Sequence, residues 1–203
     1  MTLGAVVLCG GMSQRMGQSK AWLRFGPETM LERVVRLVGQ AASTIVVVAA
    51  DGQELPSLAE DVTIVRDRVS GRGPLQGLAA GLAALPEDVD LAYASATDAP
   101  FLEPRWITRL AELIGTCDLA LPFIEGRHHP LAALYRRATA LPAIEKLLAA
   151  DRLRPVMLLE LLSTRLVEAD ELRAVDPKLG TLLNLNTPDS YRKALAVAGF
   201  TEP

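Results

Sequence analysis

The sequence has little of what several protein classes need. Only two of its 203 residues are cysteines, Cys9 and Cys117, so neither a disulfide framework nor a cysteine metal site is indicated. We expect both thiols to be reduced core residues. Aromatic residues make up only 4% of the chain. The apolar runs are far shorter than the roughly 18 residues that a membrane-spanning helix requires.

Positive charge is also not in excess. The formal net charge is −3, with no basic stretch of the kind that binds nucleic acid or a membrane surface. The apolar N-terminus lacks the basic segment and cleavage site of a signal peptide, so we expect a cytoplasmic protein. Half of the residues are hydrophobic and 22% are charged, which is typical of a globular chain with a substantial core.

Short apolar runs alternate with segments of helical periodicity. This order predicts an α/β fold, a single-domain doubly wound and mostly parallel sheet with helices on both faces. No linker or repeat divides the chain, so residues 1–203 are predicted to form one domain. The predicted strands are 3–9, 44–50, 62–67, 91–96, 118–123 and 131–137. The predicted helices are 28–42, 75–85, 104–115, 140–150, 155–163 and one that starts near Pro188.

The stretch LCGGMSQRMGQSK, residues 8–20, follows the first predicted strand. Gly10 and Gly11 allow the backbone to approach a ligand and to point N–H groups at an anion. Arg15 and Lys20 add a guanidinium fork and a mobile ammonium. The spacing matches neither the P-loop nor the dinucleotide-binding fingerprint. We therefore expect a different polyphosphate-binding loop, with a merely tight strand-to-helix turn as the alternative.

Two carboxylates follow later strands. Asp98 ends the fourth strand in TDAPFL, and Asp67 ends the third. Ligands of open α/β sheets bind beyond the carboxyl ends of the strands, which places Asp98 beside the predicted loop. A carboxylate there can hold Mg²⁺ against substrate phosphates. Capping of the following helix is the alternative role for Asp98.

These motifs together resemble the molybdenum cofactor guanylyltransferases. The opening stretch is similar to that family's LAGG-x-S-x-RMG-x-DK-x-L loop. GPLQGLAAGL, TDAPFL, HPLAALYRR and LLNLNTPDSY follow in the family's order, so the resemblance covers about residues 3–195. It implies a Rossmann-like nucleotidyltransferase fold and the transfer of GMP from GTP, with Mg²⁺, to the terminal phosphate of molybdopterin. Pyrophosphate is the implied leaving group.

The resemblance also implies roles for matching positions. Arg15 would meet the β and γ phosphates, Lys20 the α phosphate, and Asp98 the metal; these three are the implied catalytic residues. Asn184 and Asn186 would lie toward the acceptor, unless their segment is only a turn capped by Thr187. The N-terminal half would carry the nucleotide and the C-terminal half the acceptor. The implied nucleotide-binding residues are Leu8, Cys9, Gly10, Gly11, Arg15, Lys20, Asp67, Gly73, Pro74, Leu75 and Asp98.

Some positions depart from the family pattern. Ser19 stands where an aspartate usually precedes the loop lysine, and Thr97 stands for a cysteine. After the second strand the family often has an asparagine-containing turn, whereas this chain has AADGQ, in which Asp51 is the only side chain of similar size. His128 and His129 lie in a predicted surface turn before a strand, and adjacent side chains point in different directions, so they do not predict a metal pair. Their family position implies proximity to the acceptor.

Other functions compete with the guanylyltransferase. A cytidylyltransferase acting on the same pterin usually has alanine at position 10 and a serine-rich segment at GPLQG, so Gly10 and Gly73–Gly77 favour guanine. A sugar-phosphate nucleotidyltransferase would have a longer chain. A non-catalytic nucleotide-binding regulatory module would be free to lose the charges of Arg15, Lys20 and Asp98. The implied partners are GTP, molybdopterin and, transiently, proteins that handle the molybdenum cofactor.

Overall fold

A mixed sheet forms the frame of the protein. The computed structural model describes residues 2–9, 19–67, 69 and 71–201, and within them no helix has the length and apolar character needed to cross a membrane. The described strands are β1 (Leu3–Leu8), β2 (Arg24–Phe25), β3 (Glu28–Thr29), β4 (Thr44–Ala50), β5 (Val62–Asp67), β6 (Leu91–Ala96), β7 (Leu119–Ile124), β8 (Arg127–His128), β9 (Ala132–Arg136) and β10 (Thr164–Val167). The α-helices are α1 (Met30–Val38), α2 (Gly73–Ala84), α3 (Pro104–Leu113), α4 (Arg137–Ala149), α5 (Ala169–Arg173) and α6 (Pro188–Val197). Short 3-10 helices span Lys20–Trp22, Pro155–Glu160 and Gly180–Leu182.

The strand order of the main sheet is β10–β7–β9–β6–β1–β4–β5, with β8 paired to β7. In this row only β9 runs antiparallel to its neighbours, so the sheet is mostly parallel, as the sequence predicts. Strand β1 lies between β4 and β6 and is buried from Gly4 to Leu8, which explains its unbroken apolar run. The segments that follow β1, β4, β5, β6 and β7 therefore leave the sheet at one edge.

Helices cover both faces of the sheet, which confirms the doubly wound prediction. Helices α1 and α3 pack on one face, and α2 and α4 pack on the other. The contact between α2 and the sheet is close: a Cβ on Gly81 would lie 2.2 Å from Val6 Cγ1, and one on Gly77 would lie 3.2 Å from Leu8 Cδ2. Glycine at position 77 therefore has a packing role against β1.

A third apolar cluster joins segments that are distant in sequence. The Phe25 ring meets both Phe101 and Phe200 edge-on, with ring centroids 5.6 Å apart in each pair. Leu185 and Tyr191 complete this cluster, and the Tyr191 hydroxyl donates to the Arg24 carbonyl. Because the rings come from the β2–β3 hairpin, the segment after β6 and the C-terminal region, the cluster fixes these three segments against one another.

The helices and strands of the structure differ from the predicted ones mainly in the residues at which they begin and end. Helix α1 begins at Met30 rather than at residue 28, because Thr29 and Glu32 form a reciprocal capping box. Residues 155–163 do not form the predicted α-helix but contain a 3-10 helix, in which only Leu158 is buried. Most of the apolar side chains of this segment are only partly buried, so packing stabilises a longer helix little. Strands β2, β3, β8 and β10 were not predicted, since two to four residues are too few to show a periodic pattern.

Candidate active site

Three side chains from distant parts of the sequence meet at the carboxyl edge of the sheet. The Lys20 Nζ donates to Asp98 Oδ2 at 2.6 Å and to Asn186 Oδ1 at 2.8 Å. All three were predicted as site residues. An ammonium carries three N–H donors, and two of them are taken by these contacts with described residues. The cluster joins a cation, a carboxylate and an amide.

The end of β6 positions Asp98. The backbone N–H and the hydroxyl of Thr97 both donate to the Leu8 carbonyl, at 3.1 and 3.0 Å, and so tie the end of β6 to β1. The Asp98 carbonyl accepts from the Leu185 N–H at 3.0 Å. Helix α3 is capped by Glu103, whose carboxylate accepts from the Arg105 N–H. Asp98 therefore does not cap α3, and that alternative is wrong. The Asp98 carboxylate instead accepts a hydrogen bond from Lys20.

The asparagine segment precedes the cap of α6, as its turn alternative predicts, and it also reaches Lys20. Its role toward the acceptor stays a prediction. Thr187 caps α6 in a reciprocal arrangement with Ser190. Immediately before this cap, buried Leu185 separates exposed Asn184 from exposed Asn186. The cap and Leu185 anchor the segment, and Asn186 reaches Lys20. The structure thus brings Asn186 into the cluster, whereas Asn184 lies two residues away on the same exposed stretch.

The predicted phosphate loop is described only at its borders, because Gly10, Gly11 and Arg15 lie outside the described residues. Leu8 and Cys9 are buried, so a ligand at this point would meet their backbone rather than their side chains. Burial raises the pKa of the Cys9 thiol, which keeps it protonated at neutral pH. Cys117 is half-buried, and neither thiol is in a disulfide. The Cys9 side chain thus packs in the hydrophobic core.

The other predicted nucleotide-side residues lie apart from the Lys20 cluster. Asp67 is at the end of β5, three strands from β6, which is about 14 Å at the usual strand spacing. Its Oδ1 accepts from the Val69 N–H at 2.9 Å and closes a local turn. Gly73, with φ at +71°, and Pro74 begin α2 two residues before the predicted start. The Leu75 side chain is fully buried, so only its backbone can face a ligand.

Gln53 is a contact residue that sequence reasoning missed. Its carboxamide nitrogen lies 3.1 Å from the Cys9 carbonyl and 3.4 Å from the Ser19 hydroxyl. In the AADGQ turn the sequence drew attention to Asp51, which is exposed. The departure of this turn from the family pattern indicated that the turn differs. It could not predict the contact between Gln53 and Cys9, because that contact depends on the tertiary structure.

The types of residue in the site indicate which kind of metal binding Asp98 suits. In the part of the chain that the structure describes, no group of three His, Cys, Asp or Glu side chains is arranged to hold a metal ion. A single carboxylate such as Asp98 suits Mg²⁺, which keeps several waters and binds mainly through substrate phosphates. The residues therefore fit a magnesium–nucleotide complex better than a resident metal centre.

A cleft of about 360 Å³ opens farther along the same edge, at the end of β7. The cations Arg127, Arg173 and Lys178 line it together with the carboxylate of Glu125. Burial, followed by the positive charges of Arg127 and His128, lowers the pKa of His129, which also lines the cleft. His128 instead lies against Phe123, with ring centroids 4.7 Å apart. The cleft thus offers net positive charge together with four apolar lining residues, Ile124, Pro177, Leu179 and Leu182.

Comparison with known proteins identifies the family of the chain. The model of the MobA-like NTP transferase domain matches residues 5–166. The chain belongs to the MobA-like NTP transferase family. A probable molybdenum cofactor guanylyltransferase of Mycobacterium tuberculosis H37Rv is 37% identical over 190 residues, 91% of this chain and 89% of the relative. Its counterpart in Mycobacterium avium strain 104 is 37% identical over 203 residues, 98% and 97% of the two chains.

Solved structures agree with the MobA-like assignment. Molybdopterin-guanine dinucleotide biosynthesis protein A from Archaeoglobus fulgidus superposes with a TM-score of 0.81 at 25% identity, over 97% of this chain and 98% of that one. The 4-diphosphocytidyl-2C-methyl-D-erythritol synthase of Anaerococcus prevotii has a TM-score of 0.74 at 13% identity, over 98% and 96%. The second likeness shows the shared nucleotidyltransferase fold.

Proposed function

We propose that this MobA-like protein transfers GMP from GTP to the terminal phosphate of molybdopterin. The products are molybdopterin guanine dinucleotide and pyrophosphate. The observation that carries the proposal is the contact of Lys20 with Asp98 and Asn186 at the carboxyl edge of the sheet. The mycobacterial relatives, named as probable molybdenum cofactor guanylyltransferases, support the choice of nucleotide and acceptor.

The reaction requires positioning and charge neutralisation rather than a protein nucleophile. An oxygen of the acceptor phosphate forms a bond to the α-phosphorus of GTP, and the bond from that phosphorus to the bridging oxygen of the β-phosphate breaks. The electron pair leaves with pyrophosphate. Such transfers accumulate negative charge on phosphate oxygens in the transition state. A lysine beside the α-phosphate would therefore neutralise part of this charge.

Lys20 suits that role because two of its donors are already oriented. Its contacts to Asp98 and Asn186 fix the ammonium at the sheet edge and, among the described residues, use two of its three donors; the third is proposed to meet an α-phosphate oxygen. The carboxylate of Asp98 is the proposed Mg²⁺ ligand, and Mg²⁺ bound there would offset charge on the triphosphate. Arg15, outside the described residues, remains the proposed contact of the β and γ phosphates.

The two substrates are proposed to occupy different halves of the chain. The ends of β1, β4 and β5 form the nucleotide side. Asn184, Asn186 and the basic cleft form the acceptor side. Leu182, which lines the cleft, and Asn186 are four residues apart in the sequence. Their Cα atoms are therefore separated by at most about 14 Å. The cleft is thus within reach of an acceptor whose phosphate lies at Asn186, and its cations suit an anionic acceptor.

The decisive experiment measures pyrophosphate release by the purified protein with Mg²⁺, molybdopterin and each nucleoside triphosphate in turn. We expect release with GTP, and a product that contains guanine and the pterin. Release with CTP alone would assign the protein to the cytidylyl branch with the same mechanism. Nucleotide binding without release would instead support a non-catalytic regulatory module.

A further inference from the structure

The two charged groups of the Lys20–Asp98 pair come from separate segments of the protein. Lys20 lies in the 3-10 helix that leads into the β2–β3 hairpin, and Asp98 lies in the segment that follows β6. In the proposed reaction Lys20 contacts the α-phosphate and Asp98 the metal, so their direct hydrogen bond is given up. A contact elsewhere in the protein must then keep the two segments at the separation that the ligand requires.

Helix α1 is fixed to the segment that carries Lys20. The Leu23 N–H donates to the Lys20 carbonyl at 3.3 Å, and the Met30 N–H, at the start of the helix, donates to the Leu23 carbonyl at 2.8 Å. The Met30 side chain is fully buried with Leu23 and Phe25 in the third apolar cluster. The segment of Lys20 and the first turn of α1 are therefore parts of one packed unit.

Arg33, on the next turn of α1, joins this unit to the segment after β6. Its Nε donates to the Pro100 carbonyl at 2.7 Å, two residues beyond Asp98. Its guanidinium carbon lies 4.9 Å from the centre of the Phe25 ring, and its Nη1 is 3.5 Å from Glu28 Oε2. Because only 20% of the Arg33 side chain is exposed, water competes little for these contacts.

A hydrogen bond fixes geometry in a way that apolar packing does not. The rings of Phe25 and Phe101 also join the two segments, but apolar contact is non-directional and permits sliding. A hydrogen bond requires a donor–acceptor distance of about 3 Å and a nearly linear donor, and it weakens steeply away from this geometry. The bond from Arg33 to Pro100 is therefore suited to set the register between the two segments.

We propose that Arg33 is a positioning residue for the Lys20–Asp98 pair. It holds Asp98 at the separation from Lys20 at which both can bind one magnesium–nucleotide complex. It acts through the backbone of Pro100 and the ring of Phe25. The inference rests on the proposed function only in taking this pair as the reacting centre.

Arg36 provides the matched control for Arg33. It lies one turn farther along α1, and its Nη2 donates to the same carboxylate oxygen, Glu28 Oε2, at 3.0 Å. Replacement of either arginine by methionine removes one cation from Glu28. Only Arg33→Met also removes the bond to Pro100.

The first measurement follows the Lys20 ammonium and needs no nucleotide. The chain has four lysines, namely Lys20, Lys146, Lys178 and Lys193. Selective labelling of lysine therefore gives few proton–nitrogen NMR signals, and Lys20→Ala identifies the one of interest. We expect its ammonium hydrogens to exchange with water roughly fivefold faster in Arg33→Met, as for one weakened hydrogen bond. Exchange in Arg36→Met, and in Arg33→Lys with its charged donor, should stay close to that of the native chain.

The second measurement is the kcat of pyrophosphate release at saturating GTP, Mg²⁺ and molybdopterin. We expect Arg33→Met to lower kcat about tenfold or more, because small misplacements of reacting groups cost up to about 10²-fold. The KM values should change much less, and Arg33→Lys should recover most of the native kcat. In a Lys20→Ala background Arg33→Met should lower kcat little further, since both changes act through one contact.

Circular dichroism establishes that each variant is folded at the temperature of measurement, and Arg33→Gln replaces Arg33→Met if the latter does not fold. A variant that melts earlier but keeps native ammonium exchange and native kcat would show a purely structural role and overturn the inference. A native Lys20 signal that exchanges as fast as that of exposed Lys193 would also overturn it. If the native protein releases no pyrophosphate with any nucleotide, the proposed reaction is disproved, while the ammonium exchange still tests Arg33.

Discussion

Lys20 and Asp98 form an ion pair with 2.6 Å between Nζ and Oδ2, although 78 positions separate them in the sequence. Lys20 belongs to a short 3-10 helix, whereas Asp98 follows β6. The pair keeps each charge neutralised within the protein. A magnesium–triphosphate complex presents the opposite charges to both groups, so each can exchange its present partner for one on the ligand.

Replacement of Asp98 by asparagine should abolish magnesium-dependent turnover. The amide keeps the size of the side chain but removes the charge that a divalent cation requires. We expect a native far-ultraviolet circular dichroism spectrum and no pyrophosphate release at saturating Mg²⁺. Asp90→Asn is the matched control, since Asp90 is exposed immediately before β6 and its carboxylate accepts from the Thr2 backbone N–H. Normal turnover in Asp98→Asn would disprove the metal assignment.

Lys20→Ala should lower kcat by about 10²-fold or more, because removal of one preorganised transition-state donor costs on the order of 3 kcal/mol. Lys193, exposed on α6 and paired with Asp189, provides the control substitution. An unchanged kcat would remove Lys20 from the mechanism.

Asn186→Ala should have a smaller effect on kcat than Lys20→Ala, because the amide orients the ammonium. In the double variant the two effects should not add, since both act through one hydrogen bond. Full additivity, measured from kcat at saturating substrates, would show that Asn186 acts on the acceptor independently of Lys20.

Charge reversal in the basic cleft should weaken the acceptor alone. We expect Arg127→Glu combined with Lys178→Glu to raise the KM for molybdopterin roughly tenfold at low salt and less at high salt, as long-range attraction is screened. The affinity for GTP should not change. Lys193→Glu is the matched control on another surface. An equal loss of GTP affinity would place the cleft on the nucleotide side.

The stability of the protein should depend on pH through His129. Burial, with the charges of Arg127 and His128, lowers its pKa in the folded state below the ordinary 6.5. The unfolded chain therefore binds the proton more readily than the folded protein does. The contribution of neutral His129 to the free energy of unfolding is complete above pH 6.5 and is lost as the pH falls toward the folded pKa. Between about pH 7.5 and pH 5.5 the melting temperature should fall more in the native chain than in His129→Gln. Parallel curves would contradict this.

Gly81→Ala should destabilise the fold, although alanine normally favours a helix by about 1 kcal/mol over glycine. The added methyl would lie 2.2 Å from Val6 Cγ1, and overpacking of this kind costs about 1–3 kcal/mol. Urea unfolding measures the change. Val6→Ala in the same chain should relieve part of the clash, so the double variant should be less destabilised than the sum of the single variants.

The sequence determined the parts of this protein that depend on local pattern. Continuous apolar runs predicted β4 and β6 within one residue, since a central strand buried on both faces is apolar throughout. The edge strand β5 is largely exposed and was predicted from its β-branched residues. Lys20, Asp98 and Asn186 were identified from the residues at the ends of strands and from motifs shared with a family. These motifs are short, and the chemistry of each residue follows from its type, so both can be recognised in the sequence.

Only the tertiary structure decided how these residues meet. The Phe25 cluster, which sets the β2–β3 hairpin against Phe101 and the C-terminal region, places Lys20 and Asn186 beside Asp98. The bridge from Gln53 to Cys9 and Ser19 likewise depends on which strands are neighbours. Contacts across such separations follow from packing and strand order, because a side chain in a two-residue strand or a turn has no periodicity that points to its partner.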